Sequence, residues 1–325
     1  MSILDLVTAI LHVSAQKHGR WIPPPDPAGF HALVDPGWSS SAFFREGGST
    51  GLCWCGFDAQ DWRDLVFTLL PALPEVFPAI LRQDPASVAE SCHKYFSRMI
   101  DFGFSYLGIW DPSYPAILRE IPDPPLGLSL AGDASALQSN CVSVVGSRCA
   151  ATWALEWSAE FGKLAVKSGI SVVSGGAWGC DTAVHCGMLS ASFDNVAAVA
   201  IQAGGLSRLY PRHNDRLFAD ILSSGGCLLS ERAVDASCRP RDFLVRNRIV
   251  AGLSMVTIVV QAAERSGAMV TARLAAMQGR DVWVVKPPLE DVRAAGNLIL
   301  IGDGATVVEN PADAIARFVD LPSWG

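Results

Sequence analysis

"VSVVGSRCAATWALEWSAEFGKLAVKSGISVVSGGAWGCD", residues 142–181, reads as strand, loop, helix, strand and loop in turn. "VSVV" (142–145) and "ISVV" (170–173) are short, β-branched, apolar runs, each followed by a glycine-containing loop, as buried strands are. The helical segment 152–168 between them is stopped by Gly169. The unit repeats along the chain. Further strand candidates are "VAAVAI" (196–201), "CLLS" (227–230), "MVTIVV" (255–260) and "DVWVV" (281–285), and a second clear helix, 267–278, is stopped by Gly279. Strands that are apolar at successive positions and alternate with helices predict an α/β fold, with a mostly parallel sheet covered by helices on both faces.

In such sheets ligands bind outside the carboxyl ends of the strands, so the loops that follow matter most. Here they are "GSR" (146–148), "SGGAWGCD" (174–181), "QAGGLSRLYPRHN" (202–214), "SER" (230–232) and "QAAERSG" (261–267). All five are expected to line one edge. Glycine lets backbone approach a ligand closely and present consecutive N–H groups to an oxyanion.

The net charge of −7 argues against a polyanionic partner until its distribution is considered. Residues 1–140 hold 8 basic and 15 acidic side chains, which accounts for the whole imbalance, whereas 141–325 hold 17 of each. Within 208–248 there are eight arginines, no lysine and five acids. Arginine without lysine suits planar, bidentate recognition of phosphate or carboxylate, although a solvated charged face has the same composition. The densest part, "RPRDFLVRNRIVAGLS" (239–254), reads as a helix with Asp242 as N-cap and Val245, Ile249, Gly252 and Leu253 on its core side. That register places Arg246 and Arg248 near the first turn, where cations are unfavourable unless an anion is close. A bound phosphate would supply it.

Other chemistries fit poorly. No G-x-G-x-x-G follows the first strand and no P-loop occurs, which speaks against a dinucleotide-dependent dehydrogenase and a P-loop ATPase. There is no G-x-S-x-G elbow. The nine cysteines show no C-x-x-C pair, and Cys53 and Cys55 have no nearby histidine, so no metal site is expected. Asp181 and His185 share a helical face at i,i+4 spacing, a pair that suits acid–base work or, more ordinarily, loop orientation and capping. No apolar run is long enough for a membrane span and no basic leader opens the chain, so a cytoplasmic protein without membrane attachment is expected. Residues 1–100, with "WIPPPDP" (21–27) and "GGSTGLCWCG" (47–56) as loops and helical patterns over 60–100, carry no assignable chemistry.

The segments "VSVVGSR", "VVSGGAWGCDTAVHCGML", "LYPRHNDRLFADILSSGGCLLSE", "FLVRNRIVAGLSMVTIVVQA", "SGAMVTARLAAMQGRDVWVV" and "GNLILIGDGA" fall in order, preceded by the lead-in "YLGIWDPSYPAILREIPDPPLGLSLAGDASAL" (106–137). Together, over about 105–310, they resemble the DNA-processing protein A (DprA/Smf) family. The resemblance implies an extended Rossmann-like domain over 105–325, preceded by a smaller, mainly helical N-terminal region over 1–104. It also implies single-stranded DNA binding, homodimers and loading of a RecA-type recombinase in natural transformation, with neither catalytic residues nor cofactor. The expected DNA-binding positions are Gly146, Ser147 and Arg148; Ser174, Gly175 and Gly176; Tyr210, Pro211, Arg212 and Asn214; Phe243, Arg246, Asn247 and Arg248; and Ser266 and Gly267. Phe243 or Tyr210 would stack on a base.

Departures from the family pattern are Leu244 where proline is usual, Gln261 where glutamate is usual, and "VVKPPL" (284–289) where V-P-G is usual; no winged-helix segment is read after the core. The alternative reading is a nucleotide-binding or nucleotide-processing protein related to the lysine-decarboxylase-like phosphoribohydrolases. Their P-G-G-x-G-T-x-x-E motif is absent, and Gln261 removes a carboxylate that could do acid–base work. A scaffold that only assembles with a recombinase is the third.

Overall fold

The computed structural model describes residues 85–109, 111–137, 140–191 and 197–321. The two loops expected within 21–56 and the pair Cys53 and Cys55 lie outside these residues, as does most of the helical pattern over 60–100. Helix α1 (Pro85–Asp101) is followed by β1 (Ser105–Gly108), the short α2 (Ala116–Arg119) and β2 (Gly127–Gly132). Then come β3 (Cys141–Val145), α3 (Thr152–Lys167), β4 (Ser171–Ser174), α4 (Cys180–Leu189), β5 (Ala198–Ile201), α5 (Asp215–Ser223) and β6 (Cys227–Ser230). The chain continues through α6 (Pro240–Gly252), β7 (Val256–Val259), α7 (Gly267–Met277), β8 (Asp281–Val285), α8 (Ala295–Gly302), β9 (Thr306–Val308) and α9 (Pro311–Val319). Each of the six expected strands forms within a residue or two of its apolar run. Gly169 and Gly279 close their helices with φ of 70° and 69°.

The strands build one sheet in the order β1-β2-β6-β5-β4-β3-β7-β8-β9. From β6 to β9 every pairing is parallel; β2 pairs antiparallel to both β1 and β6. Successive residues of β3 point to opposite layers. Val142 and Val144 enter a core built with Trp157 and Phe161 of α3, Val184 of α4, Phe218 of α5 and Phe318 of α9. Val145 faces the other layer, with Leu118 of α2, Ile249 and Val250 of α6, Met269 of α7 and Leu300 of α8. Ser143, on that side too, spends its hydroxyl on the Val250 carbonyl and the Ser254 hydroxyl, at 2.5 and 2.7 Å, and so ties the end of α6 to the central strand.

Helix α1 packs on the antiparallel edge. The Tyr95 hydroxyl meets Ser129 of β2 at 2.8 Å, and Arg98 reaches Asp235 through two nitrogens at 3.1 Å each. Tyr95, Phe96 and Tyr106 of β1 form mutual edge-to-face contacts.

The chain leaves β3 toward β4, β5 and β6 and later returns to its other side with β7. That reversal opens a crevice at the carboxyl ends of β3, β4 and β7, where a sheet of this type offers a ligand site. Two small residues let α3 and α4 press together beneath it. A Cβ on Gly162 would lie 2.2 Å from the Val184 carbonyl oxygen, and one on Gly187 would lie 2.0 Å from that of Ala159. Replacing Gly187 with alanine is therefore predicted to cost about 1–3 kcal/mol and lower the melting temperature by several degrees. Gly302→Ala, where no atom lies within 4 Å of the new methyl group, should be neutral or stabilising by up to about 1 kcal/mol. Calorimetric melting of the two variants checks the contrast.

Candidate functional site

A pocket of about 590 Å³ occupies the crevice. The loop after β3 supplies Gly146, Ser147 and Arg148, the loop after β4 supplies Gly175, and the segment before α5 supplies Tyr210. Helix α6 adds Phe243, Arg246 and Asn247, and the start of α7 adds Ser266 and Gly267. These ten expected residues, dispersed over 122 positions of sequence, meet around one cavity because parallel strands deliver their following loops to the same edge.

At the mouth, the Arg148 guanidinium sits 5.0 Å from the centre of the Phe243 ring, and Tyr210 meets that ring edge-on at 5.3 Å. Tyr210 is 44 % exposed, Arg148 is exposed, and among the described residues Arg148 has no hydrogen-bond or ion-pair partner. An exposed cation over an aromatic pair, without a direct ion-pair partner, can take a phosphate on one group and a flat ring on the other.

Arg246 does something different. Its side chain is buried and donates to the carbonyl oxygen of Gly175, at 2.8 Å, and to that of Ile201. Burial pulls this guanidinium down to about 10, against the favourable field of Asp181. A Cβ on Gly175 would lie 2.4 Å from an Arg246 nitrogen, so Gly175 is small to seat the guanidinium. Asp181 closes the arrangement by accepting from the backbone N–H groups of Gly175 and Ala177, at 3.0 and 3.2 Å. Burial pushes its carboxyl up to about 6, while Arg246 and the two N–H groups pull the other way. His185 turns away to the Ser174 hydroxyl at 2.7 Å, and its burial in apolar surroundings holds it down to about 4. Of the two readings of Asp181 and His185, loop orientation is the one this geometry supports.

Six expected positions do not line the pocket. Arg248 is a correction: it is buried and bound to Asp123 at 2.9 Å and to Glu231 at 2.6 Å, so its charge is spent within the chain. Ser174 serves His185 and the Gly176 N–H, and Asn214 donates to the Gly176 carbonyl and the Thr182 hydroxyl. Gly176 adopts φ 62° against Phe218. Pro211, after a cis peptide bond, leads into the 3₁₀ turn Arg212–Asn214, on which Arg212 is exposed. The helix register also differs from expectation. Asp242 is the third residue of α6, not its cap, and accepts from the Arg239 N–H at 2.7 Å. Pro240, which needs no N–H partner, starts the helix earlier. Arg246 and Arg248 thus fall beyond the first turn, and carbonyls and carboxylates of the chain itself balance them.

Lining residues outside the expected set include Asp181, Leu244, Ala263 and Thr271. Leu244 is 49 % exposed, in the position where the sequence departs from its resemblance. Gln261 does not line the pocket; it accepts from Ala151 N–H and donates to Asp291 at 2.6 Å, a contact that a glutamate could not make without repulsion.

Two stability predictions follow from these pairings. Arg248→Ala leaves Glu231 and half-exposed Asp123 without their cation and should cost near the lower end of the roughly 3–5 kcal/mol typical of a broken buried pair, as read by urea denaturation. For Asp181, the folded value near 6 lies above the ordinary 3.8, so folding favours the protonated form. Its stabilising contribution is complete below about pH 4 and is lost as pH rises through 6. Denaturation at several pH values should show Asp181→Asn gaining on the native protein across that window, by no more than about 3 kcal/mol; a constant difference would contradict this balance.

Comparison with known proteins places the same residues in a family. The family model for DNA recombination-mediator protein A matches residues 105–319. Protein Smf of Escherichia coli (strain K12) is 36 % identical over 202 residues, 62 % of this chain and 53 % of that protein. DNA processing protein DprA of Bacillus subtilis (strain 168) is 34 % identical over 221 residues, 68 % of this chain and 72 % of that one. The chain spans about half the length of the Smf relative. Among solved structures, the X-ray structure of DNA processing protein A from Streptococcus pneumoniae superposes with a TM-score of 0.67 at 24 % identity, covering 98 % of both chains. That of Helicobacter pylori, described for its single-stranded DNA binding mode, gives 0.59 at 27 % identity over 66 % of this chain and 95 % of that one. With its motifs, its sheet and most of its length matched, this chain belongs to the DNA recombination-mediator protein A (DprA/Smf) family.

Proposed function

We propose that this chain binds single-stranded DNA in the strand-end pocket and, as a homodimer in the cytoplasm, delivers it to a RecA-type recombinase without itself catalysing a reaction. The observation that carries the reading is the unpaired Arg148 lying over Phe243, with Tyr210 against the ring. Single-strand binders combine a cation for the backbone with exposed rings for bases, and duplex DNA offers no unstacked base to such a ring. The H. pylori relative's described mode of binding points the same way. A role without catalysis accords with Asp181 being engaged by backbone and His185 by Ser174. No helix among the described residues is long and apolar enough to cross a membrane.

Salt titrations with single-stranded DNA, duplex DNA and free nucleotides test the proposal. Single strands should be preferred. Arg148→Ala should weaken binding irrespective of base sequence and lower the magnitude of the log–log salt slope by about 0.7, whereas Arg317→Ala, already paired with Asp313, should change neither. Equal affinity for duplex, or tight binding of a mononucleotide alone, would contradict it.

A further inference from the structure

A second depression, of about 670 Å³, adjoins the pocket and shares Leu244, Ser266 and Gly267 with it. Both volumes lie within the roughly 300–1,000 Å³ typical of small-molecule sites. Beyond the shared ridge the lining includes Arg265, Arg273, Glu264 and Ile299. Both arginines are exposed, and neither has a hydrogen-bond or ion-pair partner among the described residues. Two unpaired guanidinium groups facing one groove, against one carboxylate, favour an anion there.

A Cβ at Gly267 would meet nothing within 4 Å, so the shared ridge is open at that residue. Apolar surface is available on the ridge and in the groove, with Leu244 49 % and Ile299 36 % exposed. The pocket floor, by contrast, is closed by buried Arg246 and Asp181. We infer that the groove is a second subsite for the same DNA strand. Nucleotides adjoining those in the pocket cross the ridge at Gly267, set their phosphates on Arg265 and Arg273, and rest their bases on Leu244 and Ile299. This rests on the proposed DNA-binding role of the pocket and adds a direction of travel to it.

The test compares oligothymidylates of about 4 and about 12 nucleotides, within the range of site sizes that single-strand binders use, by fluorescence anisotropy at about 50 mM salt. The Arg265→Ala, Arg273→Ala double variant of the 325-residue chain should melt like the native protein. It should bind the short oligonucleotide as the native protein does, lose about fivefold or more on the long one, and show a long-oligonucleotide salt slope smaller by about 1.4. Phe243→Ala should weaken both. Native-like binding of the long oligonucleotide by the double variant, with Phe243→Ala still impaired, would overturn the groove and leave the pocket reading standing. So would unchanged DNA binding with an altered sedimentation coefficient, which would give the groove to a second copy of the chain. Failure of the native protein to bind either oligonucleotide would overturn both.

Discussion

From the middle of α6, the guanidinium of Arg246 donates to the carbonyls of Gly175 and Ile201, just past β4 and at the last residue of β5. The same Gly175 gives its N–H to Asp181 at the start of α4. One glycine is thus held from both ends of its peptide, by a cation on one helix and a carboxylate on another. The field of each charge favours the other, yet burial dominates both, lowering the guanidinium and raising the carboxyl. The pocket floor follows from these hydrogen bonds to one glycine, and with it the placement of the helix that carries Phe243 and Asn247.

Fixing the floor leaves the rim free to meet a ligand. Arg148 comes from the β3 loop, and Gly179, with φ 78°, lets that loop pack close: a Cβ there would lie 2.1 Å from the Ser147 carbonyl oxygen. Two uses of arginine therefore stand side by side. Arg246 and Arg248 hold the fold together through groups of the chain itself, while Arg148 remains unpaired in solvent. A chain of net charge −7 can in this way present a locally positive mouth, since the field a ligand meets depends on the nearest unpaired charges rather than on their sum.

The parallel sheet was legible because strands buried on both faces write themselves as unbroken apolar runs, and "VSVV" or "MVTIVV" admit few other readings. Strands β1, β2 and β9 were not read. "SYLG" and "GLSLAG" contain glycine and pair antiparallel at an edge, and "TVV" is only three residues long. The loops of the site were legible from their position after strands, yet the reason for Gly175 was not, since it depends on a side chain 71 residues away. Arg248 misled for the same reason: one of its carboxylates lies 125 residues off. The start of α6 could have been found, because proline followed two residues later by aspartate, "RPRD", is a first-turn signature.

The central claim is that the rim of the strand-end pocket receives single-stranded DNA. A crystal structure of the chain with a short oligothymidylate tests it most directly. The account predicts a backbone phosphate on the Arg148 guanidinium and a thymine against the Phe243 and Tyr210 rings, with Arg246 still on the Gly175 and Ile201 carbonyls and Arg248 still on Asp123 and Glu231. A strand lying elsewhere, with the space around Phe243 holding only solvent, would contradict it.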